Sequence, residues 1–137
     1  MHLSPQNYLT TMIFGGVFER HPTLRLGVIE LGAHWIGPLA DLLDNRVEQS
    51  KRLRASLSLK PSETLARNVR VTPSLWEPIR RQIQRYGLSQ VYAFSTDFPH
   101  PEGGTDPIER FHDELAPLGD EIIEQFFVTN GRLLLPA

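Results

Sequence analysis

Residues 24–31 read LRLGVIEL, and this stretch with the Gly32 that follows decides the fold class of the 137-residue chain. A nearly continuous apolar run of this kind is typical of a strand buried on both faces of a parallel sheet. Beyond Gly32, apolar side chains recur at the three- and four-residue steps of an amphipathic helix: Ile36, Leu39, Leu43 and Val47. A buried strand that leads directly into such a helix is a β-α unit, which indicates an α/β protein.

Two further strand patterns follow the first one along the chain. Residues 68–72 (NVRVT) form a weaker pattern, and residues 91–96 (VYAFST) run directly into a polar, turn-rich loop. Helical patterns separate and flank these strands, and one of them ends at Gly87, the usual C-terminal residue of a helix. The pattern near the end of the chain places Asn130 as a helix cap. We therefore predict about three parallel strands with flanking helices, in one domain over residues 1–137.

The composition is that of an ordinary globular domain and excludes several functions. Hydrophobic residues make up 40% and charged residues 22%, which argues against a disordered chain. The net charge of −2 gives no general attraction to nucleic acid or to anionic membranes. The absence of cysteine excludes disulfides, thiolate metal sites and a cysteine nucleophile. No apolar run matches a membrane span and no signal-peptide pattern is present, so we expect a cytoplasmic protein.

The number of predicted strands raises a geometric difficulty. Three mostly buried parallel strands cannot close a barrel, and an open sheet of three leaves two apolar edges. A complete (β/α)8 barrel needs about 250 residues. We therefore expect the chain to pack against a second copy or an N-terminal half-barrel, or to be part of a longer ancestral chain.

Candidate site residues lie just past the strand ends, where loops of parallel α/β folds converge. Asp97 follows an apolar strand, where a carboxylate is poorly solvated unless it meets a cation, a donor or a metal. Such an aspartate can bind a divalent ion and accept a proton from water. The alternative is that Asp97 accepts backbone amides in the turn before Pro99. Glu30 has a similar placement, with a salt bridge to an arginine as its structural alternative.

Three aromatic or imidazole side chains lie near these carboxylates. His100 follows Asp97 by three residues, with a loop-stabilising role as the alternative. His34 and Trp35 stand where the next helix begins, and the alternative for His34 is that it only helps to close that turn. His112 shares a helical face with apolar residues, so we expect it to be packed. The sequence contains no H-x-H and no H-E-x-x-H, so adjacent ligands cannot form a self-contained metal site.

Three stretches carry a family resemblance: residues 12–22 (MIFGGVFERHP), 30–35 (ELGAHW) and 95–103 (STDFPHPEG). In this order they resemble the amidohydrolase-related family, the branch of metal-dependent (β/α)8 barrels that includes aminocarboxymuconate-semialdehyde decarboxylase and related aromatic-acid decarboxylases. The resemblance covers nearly the whole chain and is most specific in the loop around Asp97. It implies an α/β fold that is a partial (β/α)8 TIM barrel, with this chain as a C-terminal fragment holding the last three strands.

The resemblance also implies a ligand set and site roles. In that family a divalent metal, zinc or manganese, is held by an H-x-H or E-x-H pair, a fifth-strand histidine and an aspartate. Asp97 matches that aspartate, whereas the other ligands would lie upstream of Met1. Asp97 and Glu30 would then be catalytic, Glu30 standing where many relatives carry a histidine. The side chains that would bind a small carboxylate, amide or ester substrate are His100, His34 and Trp35.

These inferences predict the C-terminal portion of a metal-dependent hydrolase or decarboxylase, incomplete as an enzyme by itself. The sequence leaves two alternatives open. The first is a non-catalytic half-barrel that acts as a homodimer or as one subunit of a split barrel. The second is a truncated product without a function.

Overall fold

The computed structural model describes residues 3–135, and helices account for most of them. The helices are α1 (Leu3–Phe14), α2 (Val17–Arg20), α3 (Ile36–Glu48), α4 (Lys51–Ser56), α5 (Pro61–Asn68), α6 (Ile79–Tyr86), α7 (Pro107–Leu115), α8 (Asp120–Glu124) and α9 (Asn130–Arg132). A π-helical turn over Gln125–Thr129 joins α8 to α9, and 3-10 turns cover Ser89–Val91, Pro101–Gly103 and Ala116–Leu118. Two strands, β1 (Leu26–Val28) and β2 (Val69–Val71), pair in parallel, with Leu26 opposite Val69 and Val28 opposite Val71.

The parallel β-α arrangement is confirmed, but the first strand is shorter than the apolar run 24–31. At its start, the amide of Leu24 donates to the carbonyl of His21 and forms a turn. At its end, Glu30 has a φ of 61°, outside the extended region. The hydrogen-bonded strand is therefore confined to Leu26–Val28.

The prediction of a third strand over residues 91–96 is wrong. Val91 ends a 3-10 turn, and Tyr92 makes a single parallel bridge with Val71. The amide of Ala93 still donates to the Val71 carbonyl (2.9 Å), but the amide of Phe94 donates to the carbonyl of Phe126 (3.0 Å). Because the C-terminal helices provide that acceptor, the segment leaves the sheet after one pair of residues.

The hydrophobic core lies between the strands and the helices that follow them. Val28, Val69 and Val71 pack in one cluster with the apolar stripe of α3. A group of aromatic rings forms part of this core or packs against it: Phe94, Phe111, Phe126 and Phe127, with adjacent ring centroids 4.8–6.1 Å apart. This core fixes the positions of the loops that leave the strand ends.

Asn130 and His112 do not have the structural roles predicted for them. Asn130 is buried, and its side-chain amide donates to the carbonyls of Ser89 (2.9 Å) and Tyr92 (2.8 Å) instead of capping a helix. His112 is expected to pack, but 56% of its side chain is exposed. The helical period alone does not distinguish the edge of an apolar stripe from its centre. Within residues 3–135, no helix has the length and apolar character needed to cross a membrane.

Candidate functional site

A cleft of about 260 Å³ opens where β1, β2 and the residue 91–96 segment end. Thr72 and Ser74 reach it from the loop after β2. The other polar residues that line it come from the loops after β1 and after residue 94: Glu30, Ser95, Thr96, Asp97, His100 and Glu102. The chain thus brings three of the five predicted site residues, Glu30, Asp97 and His100, to one cleft.

Asp97 lies half-buried in this cleft with a carboxylate that has no hydrogen-bond partner among residues 3–135. Its own amide donates to the Ser95 hydroxyl (3.3 Å), and its backbone carbonyl accepts from the amide of His100 (2.8 Å). Backbone atoms and the Ser95 hydroxyl therefore hold the loop without the Asp97 carboxylate, and the alternative that this carboxylate accepts the turn amides is wrong. The carboxylate oxygens remain available to a ligand.

Glu30 mirrors Asp97 at the end of β1. Its amide donates to the Thr72 hydroxyl (3.1 Å), which ties the loop after β1 to the loop after β2. Its side chain is exposed, and within the described residues it makes no ion pair with an arginine. Glu30 and Asp97 both have left-handed backbone angles, with φ of 61° and 57°. Backbone strain of this kind costs about 1–3 kcal/mol and concentrates at functional sites.

His100 lines the cleft with an exposed imidazole. Its Nδ1 is 3.7 Å from the Glu102 carboxylate, and its carbonyl accepts from the amide of Gly103 (3.1 Å). Gly103 is required by close packing, since a Cβ there would lie 2.4 Å from the carbonyl oxygen of Thr96. His100 also borders a wider groove of about 960 Å³, which Phe98 and His112 line.

Trp35 and His34 do not line the Asp97 cleft. Trp35 is 3% exposed, and its indole N–H donates to the Gly32 carbonyl (2.8 Å). The predicted contact between Trp35 and substrate is therefore wrong, because the ring is part of the core. The imidazole Nδ1 of His34 lies 2.7 Å from Oε1 of Glu77, which places His34 on the loop beside the cleft.

Glu77 is a residue of this region that the sequence patterns did not indicate. It lies six positions past the end of β2, so it does not follow a strand directly. Its largely buried carboxylate accepts hydrogen bonds from the amides of Ala33 (2.8 Å) and Ser74 (3.3 Å). Pro78 directly ahead of α6 marks a helix start, which is an ordinary use of proline and gives no indication of a role for Glu77.

The described residues do not form a metal site by themselves. Among residues 3–135, no group of three or more histidine, aspartate or glutamate side chains is placed to hold a metal ion. Asp97 offers free carboxylate oxygens, which suit zinc or manganese, but a stable site needs further donors. A metal at Asp97 would require ligands from outside this part of the chain.

Comparison with known proteins settles the family. The amidohydrolase family profile matches residues 1–136. The chain belongs to the amidohydrolase family. The resemblance predicted from residues 12–22, 30–35 and 95–103 is thereby confirmed.

A solved amidohydrolase shares this fold. The crystal structure of amidohydrolase map2389c from Mycobacterium avium subsp. paratuberculosis K-10 superposes with a TM-score of 0.78 at 27% sequence identity. The match covers 95% of this chain and 33% of the Mycobacterium protein, so the amidohydrolase chain described here spans about a third of that relative. No curated protein matches the chain at a significant level.

Proposed function

We propose that this chain is the C-terminal part of a (β/α)8-barrel hydrolase or decarboxylase of the amidohydrolase family, with Asp97 as its central functional group. The observation that carries the proposal is the unpartnered Asp97 carboxylate in a cleft at the strand ends. The parallel pair of β1 and β2, each followed by helices, supports a partial barrel. The superposition on one third of a larger amidohydrolase supports the same assignment.

The substrate that suits this cleft is a small molecule with an amide, ester or carboxylate group. In hydrolysis, Asp97 takes a proton from the water that attacks the carbonyl carbon and returns it to the leaving nitrogen or oxygen. Glu30 faces the same cleft and orients the substrate or the water through its carboxylate. His100, which lines both the cleft and the wider groove, is placed to contact the part of the substrate that extends towards that groove.

Asp97 is also proposed as one ligand of a zinc or manganese ion. Because the described residues lack the other donors, this proposal requires ligands from elsewhere in the assembled protein. Asp97 by itself would bind such an ion weakly. The binding test must therefore detect weak association at a known position in the chain.

Titration of the 15N-labelled chain with Mn²⁺ provides this test, because the ion broadens the NMR signals of nearby amides even when it binds weakly. We expect broadening at Glu30 and over residues 95–103, and its loss in Asp97→Asn. Asp41→Asn is the matched control, since Asp41 is exposed on α3 and away from the cleft. Equal broadening in wild type and Asp97→Asn would contradict the assignment of Asp97.

A second candidate function is a non-catalytic half-barrel that acts as a homodimer or together with an N-terminal half. The observation that favours it is the edge of β1 opposite β2, which no strand covers within residues 3–135. Ile29, next to this strand, is 44% exposed. Apolar residues beside an open strand edge favour association with another chain.

A further inference from the structure

The Glu77 carboxylate joins two loops that carry cleft residues. Oε2 accepts from the amides of Ala33 (2.8 Å) and Ser74 (3.3 Å), and Oε1 lies 2.7 Å from His34 Nδ1 and 3.4 Å from the amide of His34. Ala33 and His34 belong to the loop after β1, and Ser74 belongs to the loop after β2. The side chain of Glu77 is only 12% exposed, so water replaces little of this bonding.

The loop after β1 depends on this carboxylate for its course. Glu30 and Gly32 both have positive φ values (61° and 66°), so the chain turns sharply before Ala33. A Cβ on Gly32 would lie 2.6 Å from Oε1 of Glu77, which shows how closely the turn is packed against the carboxylate. Amides on the outgoing side of the turn bond to Glu77, and the amide of Glu30 on the incoming side bonds to Thr72.

We infer that Glu77 is a positioning residue that holds Glu30 in its left-handed conformation at the cleft it shares with Asp97, an inference that rests on the proposed function of the cleft. A strained residue keeps its conformation only where its surroundings impose it. Glu30 has one such restraint before the turn, the bond to Thr72, and the Glu77 carboxylate supplies the restraint after it. Glu77 itself does not line the cleft, so it acts through Glu30.

Glu77→Ala tests this inference in the full chain, with hydrogen exchange and Mn²⁺ broadening as readouts. We expect the amides of Ala33 and Ser74 to exchange about tenfold faster or more, because each loses a partly buried acceptor. We also expect the NMR signals of Glu30 and Gly32 to shift, and Mn²⁺ broadening to weaken at Glu30 relative to Asp97. If Glu77 only stabilised the fold, its replacement would change the Mn²⁺ broadening at Glu30 and at Asp97 to the same extent.

Glu77→Gln and Glu63→Ala complete the design. Glutamine keeps one acceptor oxygen, so hydrogen exchange at the amides of Ala33 and Ser74 should be faster than in wild type but slower than in Glu77→Ala. If the alanine variant does not fold, the glutamine variant still gives the comparison with wild type. Glu63 accepts the amide of Lys60 at 2.8 Å, the same length as the bond from Ala33, but lies outside the cleft. Its loss should speed exchange at Lys60 and leave Ala33, Glu30 and the Mn²⁺ broadening unchanged.

Two results would overturn the inference. One is unchanged exchange at Ala33 and Ser74 in both Glu77 variants. The other is a Glu30 signal that stays at its wild-type position while those amides exchange faster. If Mn²⁺ broadens nothing in the wild-type cleft, the proposed metal role of Asp97 fails, and the exchange and shift data still decide the role of Glu77.

Discussion

Glu30 and Asp97 share a backbone conformation that residues other than glycine rarely adopt. Their φ values of 61° and 57° place both in the left-handed region, and both line the same cleft. Asparagine and aspartate tolerate this region better than glutamate does, because a short polar side chain can bond locally. The strain is therefore greater at Glu30, where the structure keeps a longer carboxylate at a cost in stability.

Replacing Glu30 with glycine should release that strain. We expect Glu30→Gly to raise the free energy of unfolding by about 0.5–1 kcal/mol, after subtraction of the extra entropy of glycine in the unfolded chain. Glu109→Gly is the control, since Glu109 is exposed within helix α7, where glycine should cost about 1 kcal/mol. Urea denaturation measures both. If the two variants lose stability equally, Glu30 is not strained.

Tyr92 shows what burial does to a phenol without a partner. Its hydroxyl is buried and forms no hydrogen bond within the described structure. Burial raises the pKa of Tyr92 well above its usual value, and the negative charge of Glu77 and the neighbouring Tyr86 raise it further. An unsatisfied buried hydroxyl contributes nothing to stability, and its removal can even be favourable.

Tyr92→Phe should therefore retain or increase stability at neutral pH and change the alkaline pH dependence. Above about pH 10, tyrosine ionises in the unfolded chain but Tyr92 stays protonated in the folded one. The folded state then binds more protons, so stability falls with rising pH by up to about 1.4 kcal/mol per pH unit. We expect this component of the slope to be absent in Tyr92→Phe and present in Tyr8→Phe, whose phenol is exposed. Urea unfolding across the alkaline range measures the free energy of unfolding at each pH. If that free energy falls equally steeply with pH in wild type and in Tyr92→Phe, the prediction is wrong.

At the scale of elements, Asn130 connects the C-terminal helix to the segment that replaces the third strand. Its amide satisfies the carbonyls of Ser89 and Tyr92, and its own carbonyl accepts from Nε of the buried Arg70 (3.2 Å). This residue therefore joins α9, β2 and the residue 91–96 segment. The loop that carries Asp97 begins directly beyond that segment.

Asn130→Ala should destabilise the fold by about 2–4 kcal/mol, because two carbonyls are left without a donor. Asn45→Ala is the matched control: its amide also donates to a backbone carbonyl (Asp41, 2.8 Å), but at an exposed position on α3. We expect that change to stay within about 0.5 kcal/mol. Urea denaturation measures the free energy of unfolding of both variants. Equal losses in Asn130→Ala and Asn45→Ala would show that the hydrogen bonds of Asn130 do not stabilise the contact between these elements.

The periodicity of the sequence predicted the elements that depend on local pattern. Helix α3 over Ile36–Glu48 and the end of α6 before Gly87 follow from apolar spacing and from glycine at a helix end. The third strand could not be predicted, because the acceptor that draws Phe94 out of the sheet is Phe126, 32 residues away. The same limit applies to Asn130, whose partners are also distant in sequence.

The position of a candidate site residue could be predicted where that residue follows a strand-like segment directly. Glu30, Asp97 and His100 are brought together because their loops leave neighbouring segments at one edge of the sheet. Trp35 was misplaced because a helix start beside a site can turn its side chain into the core. Glu77 was missed because its role depends on amides 43 and 44 residues away, and no local spacing encodes them.

At the scale of the whole molecule, the two-stranded sheet has an edge that the described residues leave open. β1 pairs with β2 on one side, and within residues 3–135 no strand pairs with its other side. Leu24 and Ile29, which flank β1, are 38% and 44% exposed. An edge strand presents unpaired backbone N–H and C=O groups to another chain, so this edge favours a contact with another polypeptide.

Self-association of the isolated chain tests whether a second copy of the chain is the polypeptide that contacts the open edge of β1. If a second copy covers the edge, light scattering should show a dimer whose fraction rises with protein concentration. Ile29→Lys should then shift the equilibrium towards monomer, because a lysine beside a strand edge opposes pairing. Leu42→Lys is the control, since Leu42 is 60% exposed on α3 and distant from the edge, and we expect it to leave the dimer intact. A wild-type chain that stays monomeric at every concentration would exclude the homodimer, and the open edge of β1 would then need a different partner to cover it.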